Sequence, residues 1–227
     1  MLSAKLHLAK ELSSRILDGQ FIGVGTGTTV EAVLGAIKER IDKEGFTIRF
    51  VPTSYQSAWR LEELGLPVFS PSVSEKLDWA FDGADEVDPE LRLLKGRGAA
   101  LLHEKLIASR TDNLYIVVDE SKLVSRLGEK MAVPVEVIPE SRFSVKSALS
   151  ELGASEVELR LCTSLERTMT LFTQEGNLIL DARFNEIPAD LEARINAIPG
   201  VVENGIFSSH ATEVLVGKDD GIQLLKK

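Results

Sequence analysis

Apolar residues recur every three or four positions at the start of the chain, with Leu2, Leu6, Ala9, Leu12 and Ile16 on one stripe. That spacing predicts an amphipathic helix from Leu2 to Leu17, stopped by Gly19. Phe21-Ile22-Gly23-Val24-Gly25 then reads as a short buried strand. After the turn Thr26-Gly27-Thr28 a second helical stripe carries Val30, Val33, Leu34, Ile37 and Ile41. The alternation goes on: a strand at Ile48–Val51, a helix at Tyr55–Leu64, and short strands at Pro67–Phe69 and Leu77–Phe81. A helix at Ala99–Ala108 and a strand at Leu114–Val118 complete it. Strand and helix in alternation imply an α/β architecture with a parallel sheet covered on both faces.

Beyond Pro134 the pattern changes. A strand at Val135–Ile138 and a helix near Val145–Leu152 precede three strand-like runs, Val157–Leu161, Met169–Thr173 and Leu178–Ala182. A helix started by Pro188 follows, carrying Leu191, Ile195 and Ile198. Clustered strands with two helices predict a second, smaller α+β domain at about residues 133–205. Residues 1–132 would form the larger domain, rejoined by the strands Val201–Phe207 and Val214–Val216, with residues from about 206–227 counted in it.

Composition narrows the function classes. The chain has 227 residues, 44% hydrophobic and 27% charged, enough for a sizeable core without disulfide or metal support. A formal net charge of −9 argues against nucleic acid as a partner, while leaving room for a small anion held by local lysines and backbone N–H groups. Cys162 is the single cysteine, so no internal disulfide can form, and it reads as a packing residue in a reducing compartment. No apolar run reaches membrane-span length and the N-terminal stripe lacks a signal-peptide core, so a cytoplasmic protein is expected.

Four segments could carry chemistry. Gly23-Val24-Gly25-Thr26-Gly27-Thr28-Thr29 lies between a strand and a helix, where N–H groups and hydroxyls can hold an anion; it also reads as a plain tight turn. Thr28 stands where a dinucleotide fingerprint needs glycine, and no Gly-Lys-Ser/Thr follows, so neither nucleotide motif fits. Phe81-Asp82-Gly83-Ala84-Asp85-Glu86-Val87-Asp88-Pro89 follows a strand, a favoured place for ligand-facing carboxylates. There Glu86, Asp88 and Glu90 read as a solvated acidic turn, and Asp82 and Asp85 read equally as site or turn. Lys95-Gly96-Arg97-Gly98 before a helix offers a cation beside an oxyanion cradle. Glu104 in that helix reads by default as an exposed glutamate, and His103 points about 100° away from it. His7, His103 and His210 are not assigned to catalysis. Asp119-Glu120-Ser121-Lys122 closes a strand, with Lys122 as phosphate partner or surface lysine.

Taken in order, Gly-Thr-Gly-Thr-Thr, Asp-Gly-Ala-Asp-Glu, Lys-Gly-x-Gly-Ala-Ala-Leu with Glu-Lys following, Asp-Glu-Ser-Lys, Pro-Val-Glu-Val-Ile-Pro and Pro-Gly-Val-Val-Glu-Asn-Gly-Ile-Phe resemble the ribose-5-phosphate isomerase family of the A type. These segments run from Gly25 to Phe207, and the resemblance as a whole extends from Lys5 to Gly217. The resemblance implies a Rossmann-like α/β domain with a smaller α+β domain, in a homodimer or homotetramer. It also implies interconversion of ribose 5-phosphate and ribulose 5-phosphate through an enediolate, in the non-oxidative pentose phosphate pathway, without metal or organic cofactor. Glu104 would be the general base. Asp82, Asp85 and Lys95 would open the ring, move protons between sugar oxygens and stabilise the enediolate. Substrate contacts would come from Thr26, Gly27, Thr28, Thr29, Lys122 and Lys5, with Gly83, Ala84, Gly96, Arg97 and Gly98 in the binding loops.

Two departures stand out. The family usually has three glycines after the lysine where this chain has Gly96-Arg97-Gly98, and His103 stands where arginine commonly precedes Glu-Lys. A non-catalytic sugar-phosphate sensor would keep the anion loop and lose the base. The intact set Asp82, Asp85, Lys95 and Glu104 argues against that reading, and the motif order fits an amino-sugar-phosphate isomerase or a CoA transferase less well.

Overall fold

The computed structural model describes residues 2–72, 75–164 and 166–226. In chain order the elements are α1 (Leu2–Ser14), β1 (Phe21–Val24), α2 (Thr28–Glu44), β2 (Arg49–Pro52), α3 (Tyr55–Glu63), β3 (Trp79–Asp82), β4 (Glu86–Val87) and β5 (Leu93–Leu94). There follow α4 (Leu101–Ala108), β6 (Leu114–Asp119), β7 (Val133–Val137), α5 (Arg142–Glu151), β8 (Ala154–Leu159), β9 (Leu161–Ser164) and β10 (Arg167–Thr170). The last are β11 (Leu178–Phe184), α6 (Leu191–Asn196), β12 (Val201–Asn204), β13 (Ile206–Phe207), β14 (Glu213–Lys218) and β15 (Gly221–Lys226). Contacts divide the chain into two compact units, residues 1–84, 103–123 and 209–227 against 85–102 and 124–208.

The first unit is built on a six-stranded sheet in the order β15-β14-β6-β3-β1-β2. The five strands from β14 to β2 run parallel, and β15 pairs antiparallel to β14 at the edge. Strands buried on every position, such as β1 and β3, are what a sheet covered by helices requires. Leu12, Ile16, Ile22, Val24, Val33, Phe50 and Phe81 form its core. Gly23 is needed in β1 because a Cβ there would lie 2.6 Å from Ile107 Cγ2 on α4 and 2.7 Å from Ala80 Cβ. Ile107 of α4 therefore packs directly over β1 at Gly23.

The second unit is antiparallel. Its main sheet has the order β12-β7-β11-β8, with α5 and α6 packed on a core of Val133, Val135, Val137, Val145, Leu149, Leu180 and Ile195. A small sheet β13-β5-β4 and a ribbon β10-β9 complete it. Compared with the stretch of about 133–205 expected from sequence, this unit also takes in 85–102 and 124–132. The reason is pairing: β5 lies between β4 and β13, and Val124 N–H donates to Val87 O at 3.0 Å.

Most elements fall where the apolar spacing places them. Pro67–Phe69 does not form a strand of its own; Val68 makes one bridge to Phe50. Apolar spacing gives no strand at β4, β5, β9 or β15: the first two are only two residues long, and the last two are of mixed polarity. Cys162 is half-buried in β9, paired opposite Met169. Among the described residues no helix is long and apolar enough to cross a membrane.

Candidate active site

In the first unit the parallel register decides what meets. Val24 pairs with Phe81, Asp82 with Ile116 and Gly217 with Asp119, so β1, β3, β6 and β14 end on one edge of the sheet. The carboxyl edge of such a sheet is where ligands bind. It carries the Gly25–Thr28 loop, Asp82, and the turn at Glu120–Lys122.

The loop is fixed by its neighbours rather than by its own side chains. Gly25 N–H donates to Phe81 O at 2.8 Å. The Asp82 Oδ1 atom accepts from Thr26 N–H at 3.1 Å and from Gly83 N–H at 2.7 Å. A Cβ on Gly25 would lie 2.0 Å from that same oxygen, so only glycine lets the loop close over Asp82. Gly27, with φ of 124°, precedes α2, whose N-terminal amides face the loop side and favour an anion.

Hydroxyls after β2 supply the rest. Thr26 Oγ1 lies 3.0 Å from Thr53 Oγ1, 2.7 Å from Ser54 Oγ and 3.1 Å from Ser57 Oγ. Ser57 Oγ donates to Gly25 O at 2.5 Å. The side chain of Thr26 thus braces the loop. Sequence reasoning missed Thr53, Ser54 and Ser57; the only signal was a Thr-Ser-x-x-Ser cluster directly after a strand. Lys5 Nζ, from α1, donates to Thr28 Oγ1 at 2.7 Å, which brings the N-terminal lysine to the loop. Lys122 is half-buried in its turn, which Asp119 caps by accepting from Ser121 N–H at 2.9 Å.

Glu104 is buried, at 8% exposure, against its default reading as a surface glutamate. It lies one turn before Ile107, the residue that packs over Gly23, so both occupy the sheet-facing side of α4. Because α4 leads back into the parallel strand β6, its N-terminal end lies toward the carboxyl edge. That places a buried carboxylate on the same edge as the Gly25–Thr28 loop.

The second unit holds Asp85, Lys95, Gly96, Arg97 and Gly98. Lys95 is 3% exposed; its N–H donates to Gly205 O at 2.9 Å, and its Nζ sits 5.7 Å from the centre of the Phe207 ring. A Cβ on Gly205 would fall 2.2 Å from Lys95 O. Gly96 has φ of 105°, and Asp85 Oδ2 accepts from Arg97 N–H at 3.1 Å. The Arg97 side chain is exposed, with Nε 3.8 Å from Asp85 Oδ1.

The neighbouring acids are not a solvated turn. Glu86 is fully buried and accepts from Gly128, Lys130 and Met131 N–H at 2.7, 2.6 and 2.8 Å. Asp88, 3% exposed, accepts from Arg92 Nε at 2.7 Å and from the N–H groups of Glu90 and Arg92. Only Glu90 is exposed, so Glu86 and Asp88 are structural anchors.

Comparison with known proteins gives the family and supports the fold. The model of the family ribose 5-phosphate isomerase A (phosphoriboisomerase A) matches residues 49–221. A relative named ribose-5-phosphate isomerase A, from Pyrococcus abyssi, is 44% identical over 222 residues, covering 96% of each chain. The solved structure of ribose 5-phosphate isomerase A from Methanocaldococcus jannaschii superposes with a TM-score of 0.93 at 40% identity, covering 100% of this chain and 99% of the other. A D-ribose-5-phosphate isomerase in complex with phospho-erythronic acid gives a TM-score of 0.91 at 40% identity, with 100% and 98% coverage. Motif order, sheet topology and these likenesses along the whole length together show that the chain belongs to the ribose 5-phosphate isomerase A family.

Proposed function

We propose that this protein interconverts D-ribose 5-phosphate and D-ribulose 5-phosphate through an enediolate, in the non-oxidative pentose phosphate pathway of the cytoplasm, as a homodimer or homotetramer. The observation that carries the reading is the buried Glu104, set on the sheet-facing side of α4 toward the edge that bears the Gly25–Thr28 anion loop.

In this reading the distal phosphate binds the loop amides, the α2 N-terminus, Lys5 and Lys122, where helix and lysine charge favour it. Glu104 removes the proton from C2 of the open aldose and returns it to C1, while a proton passes between O1 and O2. Such general-base transfer contributes about 10²–10⁴ in rate, so the developing oxyanion needs its own donors. Lys95 and the Gly98 amide supply them, while the Arg97 amide holds Asp85. Asp82 and Asp85 serve ring opening and the oxygen-to-oxygen proton transfer. The ligand of the solved relative supports the substrate class: a phosphorylated four-carbon acid presents a planar carboxylate and a distal phosphate, much as an enediolate phosphate would.

The test is to incubate the purified protein with ribose 5-phosphate after treatment with a metal chelator and to follow ribulose 5-phosphate. Turnover is expected; its absence contradicts the reading.

A further inference from the structure

The turn after Lys95 closes with a single bond of its own, from Ala99 N–H to Gly96 O at 3.1 Å. Gly96 and Ala99 both have positive φ, 105° and 57°, and Ala99 is a residue that pays for that conformation. Something outside the loop has to over-determine it. Within the second unit the structure offers Arg160, at the break between β8 and β9.

Arg160 is anchored on every side. Its N–H donates to Ile179 O at 2.8 Å, and its carbonyl accepts from Leu171 N–H at 3.3 Å. Its guanidinium pairs in a fork with Asp181 on β11, Nε to Oδ2 at 2.8 Å and Nη2 to Oδ1. This two-point pairing fixes the plane of the group. The remaining nitrogen, Nη1, then donates to Gly96 O at 2.6 Å and to Arg97 O at 3.1 Å.

Those two carbonyls belong to the peptide units that matter most. A trans peptide points its N–H opposite its C=O. With Gly96 O turned to Arg160, the following N–H, that of Arg97, is turned away and meets Asp85 Oδ2 at 3.1 Å. With Arg97 O likewise held, the Gly98 N–H is turned away from Arg160 as well. One guanidinium thereby sets the direction of two consecutive amides beside Lys95.

We propose that Arg160, braced by Asp181, is a positioning residue of the isomerase: it sets the Gly96–Arg97 and Arg97–Gly98 peptides so that one amide holds the Asp85 carboxylate and the other faces the developing oxyanion. In this role Arg160 acts through the two peptides. The proposal rests on the roles given above to Asp85 and the Arg97 and Gly98 amides. A lysine cannot replace it, because a single ammonium lacks the planar fork that pairs Asp181 and caps two carbonyls together.

The experiment compares wild type, Arg160→Ala, Arg160→Lys and Asp181→Asn in the ribose 5-phosphate assay, each with a measured melting temperature and folded fraction. Arg160→Ala is expected to lower kcat about 10- to 100-fold per folded molecule with KM changed less than about threefold, as a misplaced catalytic group would. Arg160→Lys and Asp181→Asn are expected to fall between wild type and the alanine variant. Added guanidinium ion, at concentrations that leave the melting temperature unmoved, is expected to restore part of kcat in Arg160→Ala and none in wild type. An unchanged kcat in folded Arg160→Ala overturns the proposal, and so does a loss that tracks the folded fraction alone. If Arg160→Ala does not fold, Arg160→Lys and Asp181→Asn decide by the same split between kcat and KM. No turnover in wild type would refute the isomerase reading and this proposal with it. Turnover in wild type with unaffected variants refutes this proposal by itself.

Discussion

The Gly25–Thr28 loop of the first unit and the Lys95–Gly98 loop of the second are both glycine-bearing turns ahead of a helix, yet they are held differently. The first is locked by what its own parallel sheet delivers: Asp82 at the end of one strand flanking β1, and the Thr53, Ser54 and Ser57 hydroxyls after the other. The second is locked by residues remote in sequence, Arg160, Asp181 and Gly205. A parallel sheet brings strand ends together by register, so loops at its carboxyl edge meet almost automatically. An antiparallel unit has no such shared edge, and each loop needs dedicated anchors.

The strongest way to break this comparison is to add one methyl group in each unit. Gly25→Ala places a carbon 2.0 Å from Asp82 Oδ1, and Gly205→Ala places one 2.2 Å from Lys95 O. Each should cost about 10²-fold or more in kcat/KM, since displacements near 1 Å have effects of that size. Steady-state kinetics separates them: Gly25→Ala should raise KM and lower kcat, Gly205→Ala should lower kcat with little change in KM. The same pattern in both would contradict the division between phosphate holding and proton chemistry.

A smaller effect sharpens the contrast between Asp85 and the adjacent Glu86. Glu86→Gln should destabilise the protein by about 1–3 kcal/mol in denaturant titration, because the buried group loses its match to three backbone donors. Its kcat and KM per folded molecule should stay at wild-type values. Asp85→Asn should do the reverse, lowering kcat without that loss of stability.

The smallest effect lies in the first unit, away from the loop. Burial alone would raise the carboxyl pKa of Glu213, but hydrogen bonds from Arg15 at 2.7 Å and Lys226 at 3.0 Å outweigh it and hold the group below the ordinary 4.5. A depressed carboxylate contributes stability that is complete above 4.5 and lost as pH falls through the lower folded value. Thermal melts should therefore show wild type losing more stability across that acid range than Glu213→Gln.

How much of this could be read from the sequence follows the same division. The repeat of strand and helix, the β1–loop–α2 turn and the position of Asp82 all follow from local spacing, which is why they were legible. Glu86 was not, because the amides that bury it lie 42 to 45 residues away. Thr26 was legible as a loop hydroxyl but not as a brace, since its partners come from another strand end. Glu104 gave no local signal: its burial depends on α4 lying against Gly23, and only family resemblance singled it out. Arg160 sits in an ordinary alternating run and acquires meaning solely through Asp181 and the two carbonyls it caps.

The central claim is proton transfer through an enediolate by Glu104, and it is tested most directly by turnover of ribose 5-phosphate in D2O. The account predicts solvent deuterium at C1 of the ribulose 5-phosphate formed by wild type. It predicts a drop of about 10²–10⁴ in both turnover and deuterium uptake in folded Glu104→Gln. Turnover or deuterium uptake unchanged in folded Glu104→Gln would contradict it.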